Sequence, residues 1–281
     1  VSVTRRSTAV TGSDGLPVAV DVYVPEDATE PLPGTVFCHG FKGFKDWGFF
    51  PPLSERLAAR GRAVVTFNTA HNGVDGDSQE FTRLDLFAEQ TVSRSVADLR
   101  AVMDAIDGGP IGELATFNTA NRTVVGHSLG GAVAMLFAAE DGRVGQIATL
   151  NGVSRLDRFD DEQKEELART GHITILNTRT GQELPLGPGY LEDAAGHDLE
   201  EAAEEILVPG LVIQAEGDES VPPGEGEQLD EWMGTARYVV VPGNHAFDAV
   251  HPFAGWTDAL ERVAAELDEF VPWVGRFGGT S

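Results

Sequence analysis

The sequence predicts an α/β protein with a mostly parallel central sheet, helices on both faces and a small inserted cap. Short apolar runs rich in β-branched residues recur along the chain, at Thr35 to Cys38, Ala63 to Phe67, Thr123 to Val125, Ile147 to Leu150, Leu211 to Gln214 and Tyr238 to Val241. Runs without polar alternation are strands buried on both faces, and helical patterns between them make neighbouring strands parallel. The rhythm breaks between Ser154 and Leu207, which reads as an insertion into a core formed by residues 1–153 and 208–281. With 281 residues, 41% of them hydrophobic, one large domain can bury a substantial core.

Each element has its own signal. Val18, Val20, Val22 and Val24 alternate with other residues up to Pro25, as in an antiparallel strand, and Val3 to Val10 supplies a partner. After the Pro31 to Pro33 turn come the strand Thr35 to Cys38, a helix at Leu53 to Arg60 and the strand Ala63 to Phe67. Gly and Asp content places Asn68 to Leu84 in an exposed loop. Apolar steps of three and four at Val92, Val96, Leu99, Met103 and Ile106 predict one long helix from Asp85 to Ile106. In the insertion, Asp157 to Thr170 and Asp198 to Ile206 read as charged amphipathic helices. Ile173 to Leu176 and Glu183 to Leu186 flank Arg179 Thr180 Gly181 as a hairpin. Trp256 to Val271 closes the pattern with a helix.

Composition excludes several function classes. The formal charge of −25, from 45 acidic against 20 basic residues, repels nucleic acid and anionic membranes. It also predicts self-repulsion that salt relieves, as in a protein adapted to high salt. No segment approaches the roughly 20 apolar residues of a membrane span, and Val1 to Val10 lacks the basic and apolar regions of a signal peptide. The single cysteine, Cys38, follows an apolar run and reads as a small buried hydrophobe. These features fit a cytoplasmic location. The seven histidines show no metal-ligand spacing, so neither metal nor other cofactor is expected.

The run Gly126 His127 Ser128 Leu129 Gly130 directly follows Thr123 Val124 Val125 and precedes the apolar helical pattern from Ala132 to Ala138. Strand, G-x-S-x-G and helix in that order form a nucleophile elbow, a sharp turn that lifts a serine hydroxyl clear of the core. A serine is a weak nucleophile until a base takes its proton, and the base needs a carboxylate to orient it. His245 follows the last strand, in Pro242 Gly243 Asn244 His245, and is favoured over His251, which lies further from that strand. The acid belongs after Leu211 to Gln214, where Glu216, Asp218 and Glu219 are available. Asp218 follows Gly217 and precedes Val221 Pro222, a stiff setting that favours it; Asp248 is a weaker alternative because it follows the base.

Backbone N–H groups of Leu129, after the nucleophile, and Phe41, after the strand ending in His39 Gly40, are the expected oxyanion donors. His39 and His127 read as packing or loop-fixing residues. His71, after a strand, and Tyr190, in the insertion, are candidates to line the substrate pocket, as are Leu156, Phe159, Leu184 and Leu186.

Together His39 Gly40 Phe41 Lys42 Gly43, Gly126 to Gly130, Asp218 with Val221 Pro222, and His245 with Phe247 resemble the α/β-hydrolase superfamily. Within it the chain resembles the esterase branch related to dienelactone hydrolases and prolyl-oligopeptidase-like enzymes. The resemblance implies the α/β-hydrolase fold and a serine carboxylesterase acting through an acyl-enzyme. Ser128 stands where dienelactone hydrolases carry a cysteine, which points to ordinary ester hydrolysis. The insertion resembles the short caps of bacterial carboxylesterases, feruloyl-type enzymes included. A serine peptidase or an acyltransferase on the same fold is the alternative, and a non-catalytic binding protein the reading from another class. The implied partner is a small-molecule ester, with no nucleic acid and no membrane.

Overall fold

The computed structural model describes residues 1–76 and 78–271. Residues 272–281, assigned from sequence to the carboxyl end of the core, and Asp77 of the Asn68 to Leu84 loop lie outside them.

The strands are β1 (Val3–Thr11), β2 (Pro17–Pro25), β3 (Leu32–Cys38), β4 (Ala63–Phe67), β5 (Phe117–His127), β6 (Val144–Leu150), β7 (Ile173–Asn177), β8 (Gln182–Leu186), β9 (Gly210–Ala215) and β10 (Ala236–Val241). Eight form one sheet in the order β1-β2-β4-β3-β5-β6-β9-β10, while β7 and β8 pair as a separate hairpin. β1 and β2 are antiparallel, β2 is antiparallel to β4, and the rest of the large sheet is parallel.

The helices are α1 (Phe50–Ala59), α2 (Leu84–Ala88), α3 (Val92–Gly108), α4 (Leu129–Glu140), α5 (Asp161–Thr170), α6 (Gly189–Ala194), α7 (Leu199–Glu204), α8 (Pro223–Trp232) and α9 (Asp258–Phe270). Successive strand residues face opposite sides, so each central strand feeds two cores. Phe37, Val125, Leu150 and Ile213 pack with Leu53 and Leu57 of α1 and Val263 and Leu267 of α9. Val36, Val124, Ile147 and Val212, on the other face of the same strands, belong to the opposite core, with Leu99 and Met103 of α3, Met135 of α4 and Leu229 of α8. This double burial is why the runs lack polar alternation. No helix among the described residues is long and apolar enough to cross a membrane.

Three sequence expectations are corrected. The long helix predicted from Asp85 is two helices, because Thr91 turns extended and its side chain caps α3 by accepting from the Arg94 N–H at 3.2 Å. The first half of the Asn68 to Leu84 loop is buried rather than exposed. Polar groups along it find internal partners: Asn68 accepts from the Lys45 N–H at 2.7 Å, and the Ala70 N–H donates to Asp98 at 2.7 Å. The helix expected from Asp157 starts at Asp161, after a capping box between Asp160 and Gln163. The short helix α6 and the helix α8, which opens on Pro223, were not predicted.

Between β6 and β9 the chain makes α5, the β7-β8 hairpin, α6 and α7. Ile173, Leu184, Leu186 and Tyr190 join the core that contains α3 and α4, while α5 has no fully buried side chain. α7 packs against α4 and α8, within the helix layer of the sheet.

Candidate active site

The carboxyl ends of β3, β5, β6, β9 and β10 converge on Ser128. Between β5 and α4, Ser128 adopts φ 56° and ψ −123°, a conformation that strains any residue with a side chain. The flanking glycines are required by contact: a Cβ on Gly126 would lie 2.1 Å from the Gly130 carbonyl oxygen, and one on Gly130 would lie 2.3 Å from that of Cys38. The Ser128 N–H is held by the Leu150 carbonyl at 3.0 Å, so its strain is fixed by a β6 partner.

Gly40 runs against the serine, since a Cβ there would lie 2.8 Å from Ser128 Cβ and 3.4 Å from its Oγ. Phe41 follows directly and lines both cavities together with Ser128. Leu129 opens α4, where an amide has no intrahelical carbonyl to meet and the helix dipole favours negative charge. His39 fixes this loop. Its Nδ1–H donates to the Gly40 carbonyl at 2.9 Å, and its Nε2 accepts from the Thr69 N–H at 3.1 Å. Burial pushes the His39 imidazole down to about 4, so it stays neutral in that tautomer.

Asp218, three residues beyond β9, accepts from His245 Nδ1–H at 2.7 Å through one oxygen. Through the other it accepts from the Ser220 and Val221 amides, both at 2.8 Å. Burial raises the Asp218 carboxyl, but His245 and the two amides outweigh it and hold it below the usual carboxylate value. With Nδ1 occupied, Nε2 of His245 is free to face the serine. Ser128 and His245 together line two adjoining cavities.

The carbonyl of His245 is held by two donors that sequence reasoning did not connect. His127 Nε2–H reaches it at 2.9 Å, and so does Asn151 Nδ2–H. Burial first, and then the neighbouring His245, push the His127 imidazole down to about 3, which keeps the ring a neutral donor. Asn151 also accepts from the Ala215 N–H at 2.7 Å, so one buried side chain ties β6 to the ends of β9 and to the histidine loop. Its sequence signal was position alone, directly after the apolar run of β6.

One cavity, of about 260 Å³, is walled by Phe44, Trp47, Phe50 and Phe81 of the core and Asn177 to Arg179 of the hairpin turn. The other, of about 290 Å³, is walled by Val153, Leu156, Arg158, Phe159, Tyr190 and Val221. Phe41 and Lys42 border both. Tyr190 thus stands at the site, its ring 6.1 Å from that of Phe41 and 5.8 Å from that of Phe159.

His71 does not line either cavity. It turns toward the β1-β2 connection, with Nδ1 3.3 Å from Ser13 Oγ and Nε2 3.3 Å from Asp14. Leu184 and Leu186 are buried in the core, outside both cavity walls. His251 accepts from the Gly48 N–H at 3.0 Å and stacks on Trp47, away from Asp218. Asp248 is exposed and caps the Asn244 N–H at 3.1 Å, while Glu216 and Glu219 are exposed. Among the described residues no cluster of His, Cys, Asp or Glu is placed to hold a metal ion.

Solved structures share this architecture. Est1E from Butyrivibrio proteoclasticus, with ferulic acid bound, superposes with a TM-score of 0.73 at 20% identity, over 94% of this chain and 97% of that one. The esterase domain of a Rhodothermus marinus protein gives 0.65 at 18% identity, over 96% and 100%. Mouse alpha/beta hydrolase domain-containing protein 10 gives 0.69 at 16% identity, over 95% and 98%. No curated protein matches the chain in sequence. The model of the alpha/beta hydrolase family matches residues 35–272. With most of its length inside that match, the chain belongs to the alpha/beta hydrolase family.

Proposed function

We propose that the protein is a serine hydrolase that cleaves carboxylic esters through an acyl-enzyme. The observation that carries this reading is the 2.7 Å pair of Asp218 and His245 set over a serine held at φ 56°, with serine and histidine lining the same cavities. Ser128 Oγ attacks the ester carbonyl as His245 Nε2 takes its proton, and Asp218 stabilises the imidazolium. The oxyanion is received by the N–H groups of Phe41 and Leu129 at the mouth of α4. Collapse expels the alcohol, protonated by His245, and a water activated by the same histidine releases the acid.

Residues 154–207 act as a cap, with Arg158, Phe159, the hairpin turn and Tyr190 forming walls over the serine. Cavities of about 260 and 290 Å³ suit the two halves of a small ester better than a polypeptide, which supports an esterase over a peptidase. The structural relative that binds ferulic acid supports a small acid as one product. The charge of −25 supports a protein adapted to high salt.

Ser128→Ala is expected to lower hydrolysis of a short para-nitrophenyl ester by about 10⁴-fold or more, with an unchanged circular dichroism spectrum. A folded variant that keeps most of the activity would sink the assignment.

A further inference from the structure

The two cavities beside Ser128 differ in charge. The one walled by Tyr190 and Val221 shares Lys42, but its own cation is already neutralised: Arg158 is paired with Glu225 at 2.7 Å and donates to the Ser220 carbonyl at 2.5 Å. In the aromatic cavity, Lys42 and Arg179 are both present and no Asp or Glu is among the lining residues.

Neither cation has a carboxylate partner among the described residues. Lys42 Nζ donates to the neutral Leu176 carbonyl at 3.1 Å, and Arg179 donates to the Gln79 carbonyl at 3.2 Å. The other two lysines are paired, Lys45 with Asp21 at 2.6 Å and Lys164 with Asp157 at 2.7 Å. In a chain with 45 acidic and 20 basic residues, unpaired cations are scarce, and two of them converge on one cavity at the serine. Burial pulls the Lys42 ammonium below its ordinary value, a cost that a bound anion would relieve. Asp46, which acts on His251, is itself held by Lys45 at 2.7 Å and by Arg5.

We infer that the aromatic cavity is an anion subsite, which takes the half of an ester that carries a carboxylate on an aromatic or apolar body. Phe44, Trp47 and Phe81 hold the body, and Lys42 and Arg179 at the rim meet the charge. The inference rests on the ester-hydrolase reading and narrows it to esters with an anionic group on one side of the scissile bond.

The test compares matched substrates at low ionic strength. Para-acetoxybenzoate against para-acetoxybenzamide puts the charge on the alcohol side; monomethyl terephthalate against methyl para-carbamoylbenzoate puts it on the acyl side. In one pair the anion is expected to have a kcat/KM about 10- to 100-fold above its neutral partner, the size of one or two charge-assisted hydrogen bonds. Lys42→Gln is expected to remove most of that ratio, and Arg179→Gln, on an exposed turn, part of it. A ratio near unity in both pairs, or one that neither substitution lowers, overturns the subsite while leaving ester hydrolysis standing. If no ester is hydrolysed, the esterase reading fails, and calorimetry on Ser128→Ala still decides the subsite. Benzoate bound more tightly than benzamide, with loss in Lys42→Gln, supports it, and equal binding of the two overturns it.

Discussion

The strand ends that carry Ser128, Asp218 and His245 and the insertion that stands over them hold their shapes by different means. At the strand ends, buried polar side chains tie one strand to the next: Asn151 joins β6 to Ala215 and to the His245 loop, and His39 joins β3 to the segment after β4. In the insertion, a hairpin and short helices rest on one core, and α5 has no fully buried side chain, only the half-buried Leu167 against that core. The first region has one geometry that every substrate meets. The second offers walls whose residues can change without disturbing the strand ends, so under the proposed function substrate choice falls to them and to the rim shared with Lys42.

That contrast breaks first at the acid. Asp218→Ala is expected to lower kcat/KM by about 10⁴-fold, equally for all esters, because it frees the His245 tautomer rather than reshaping a wall. A loss that differed widely between esters would erase the distinction between the two regions.

Asn151→Ala comes next. It leaves the Ala215 N–H unpaired in the interior and removes one of two donors on the His245 carbonyl, for about 1–3 kcal/mol of stability. The histidine loop then loses its register with the serine, and kcat is expected to fall about 10- to 100-fold. Urea unfolding beside kinetics on two unlike esters checks both halves, and a change in KM alone would contradict it.

Acid sharpens the comparison further. His39 and His127 stay neutral in the folded protein down to about 4 and about 3, whereas the unfolded chain takes up protons below the ordinary value of 6.5. The unfolded state then binds more protons, so stability is fully present above that value and falls as pH drops toward 4. Each ring contributes at most about 1.4 kcal/mol per pH unit. Asp98, whose carboxyl burial holds up, opposes this with one proton, and Asp218 acts only below the ordinary carboxylate range. Urea midpoints are therefore expected to fall between pH values of about 7 and 5. Midpoints that are flat or rising across that window would contradict the neutral assignments.

The smallest effect belongs to salt and to the insertion. α5 carries Asp161, Glu162, Glu165 and Glu166 on a helix without buried side chains. Limited proteolysis is expected to cut there first, and to slow by about a few fold as the screening length shrinks from about 10 Å at 0.1 M to about 3 Å at 1 M salt. First cuts at the strand ends, or no salt effect, would contradict it.

Ser128, Asp218 and His245 were legible because each follows its own strand, so a local apolar run announces it. The parallel sheet was legible for the same reason. Contacts between distant segments left no such trace. His127 and His245 are 118 positions apart, and nothing near either shows that one holds the carbonyl of the other. His71 had the same local signal as Ser128, Asp218 and His245, a place after a strand. Its loop is drawn away by the bond from Ala70 to Asp98, which no window of sequence contains. Thr91 could be read as a helix residue or as a cap, and the apolar spacing on either side concealed the break. The cavity walls depend on how the insertion folds back, whereas its sequence shows only a hairpin and two charged helices.

The φ of 56° at Ser128 sets two selective pressures against each other. Glycine is the residue that conformation would prefer, and a side chain held there costs on the order of 1–3 kcal/mol. Selection for a sturdier fold alone would replace the serine, so under the proposed mechanism Ser128 keeps reactivity at the expense of durability.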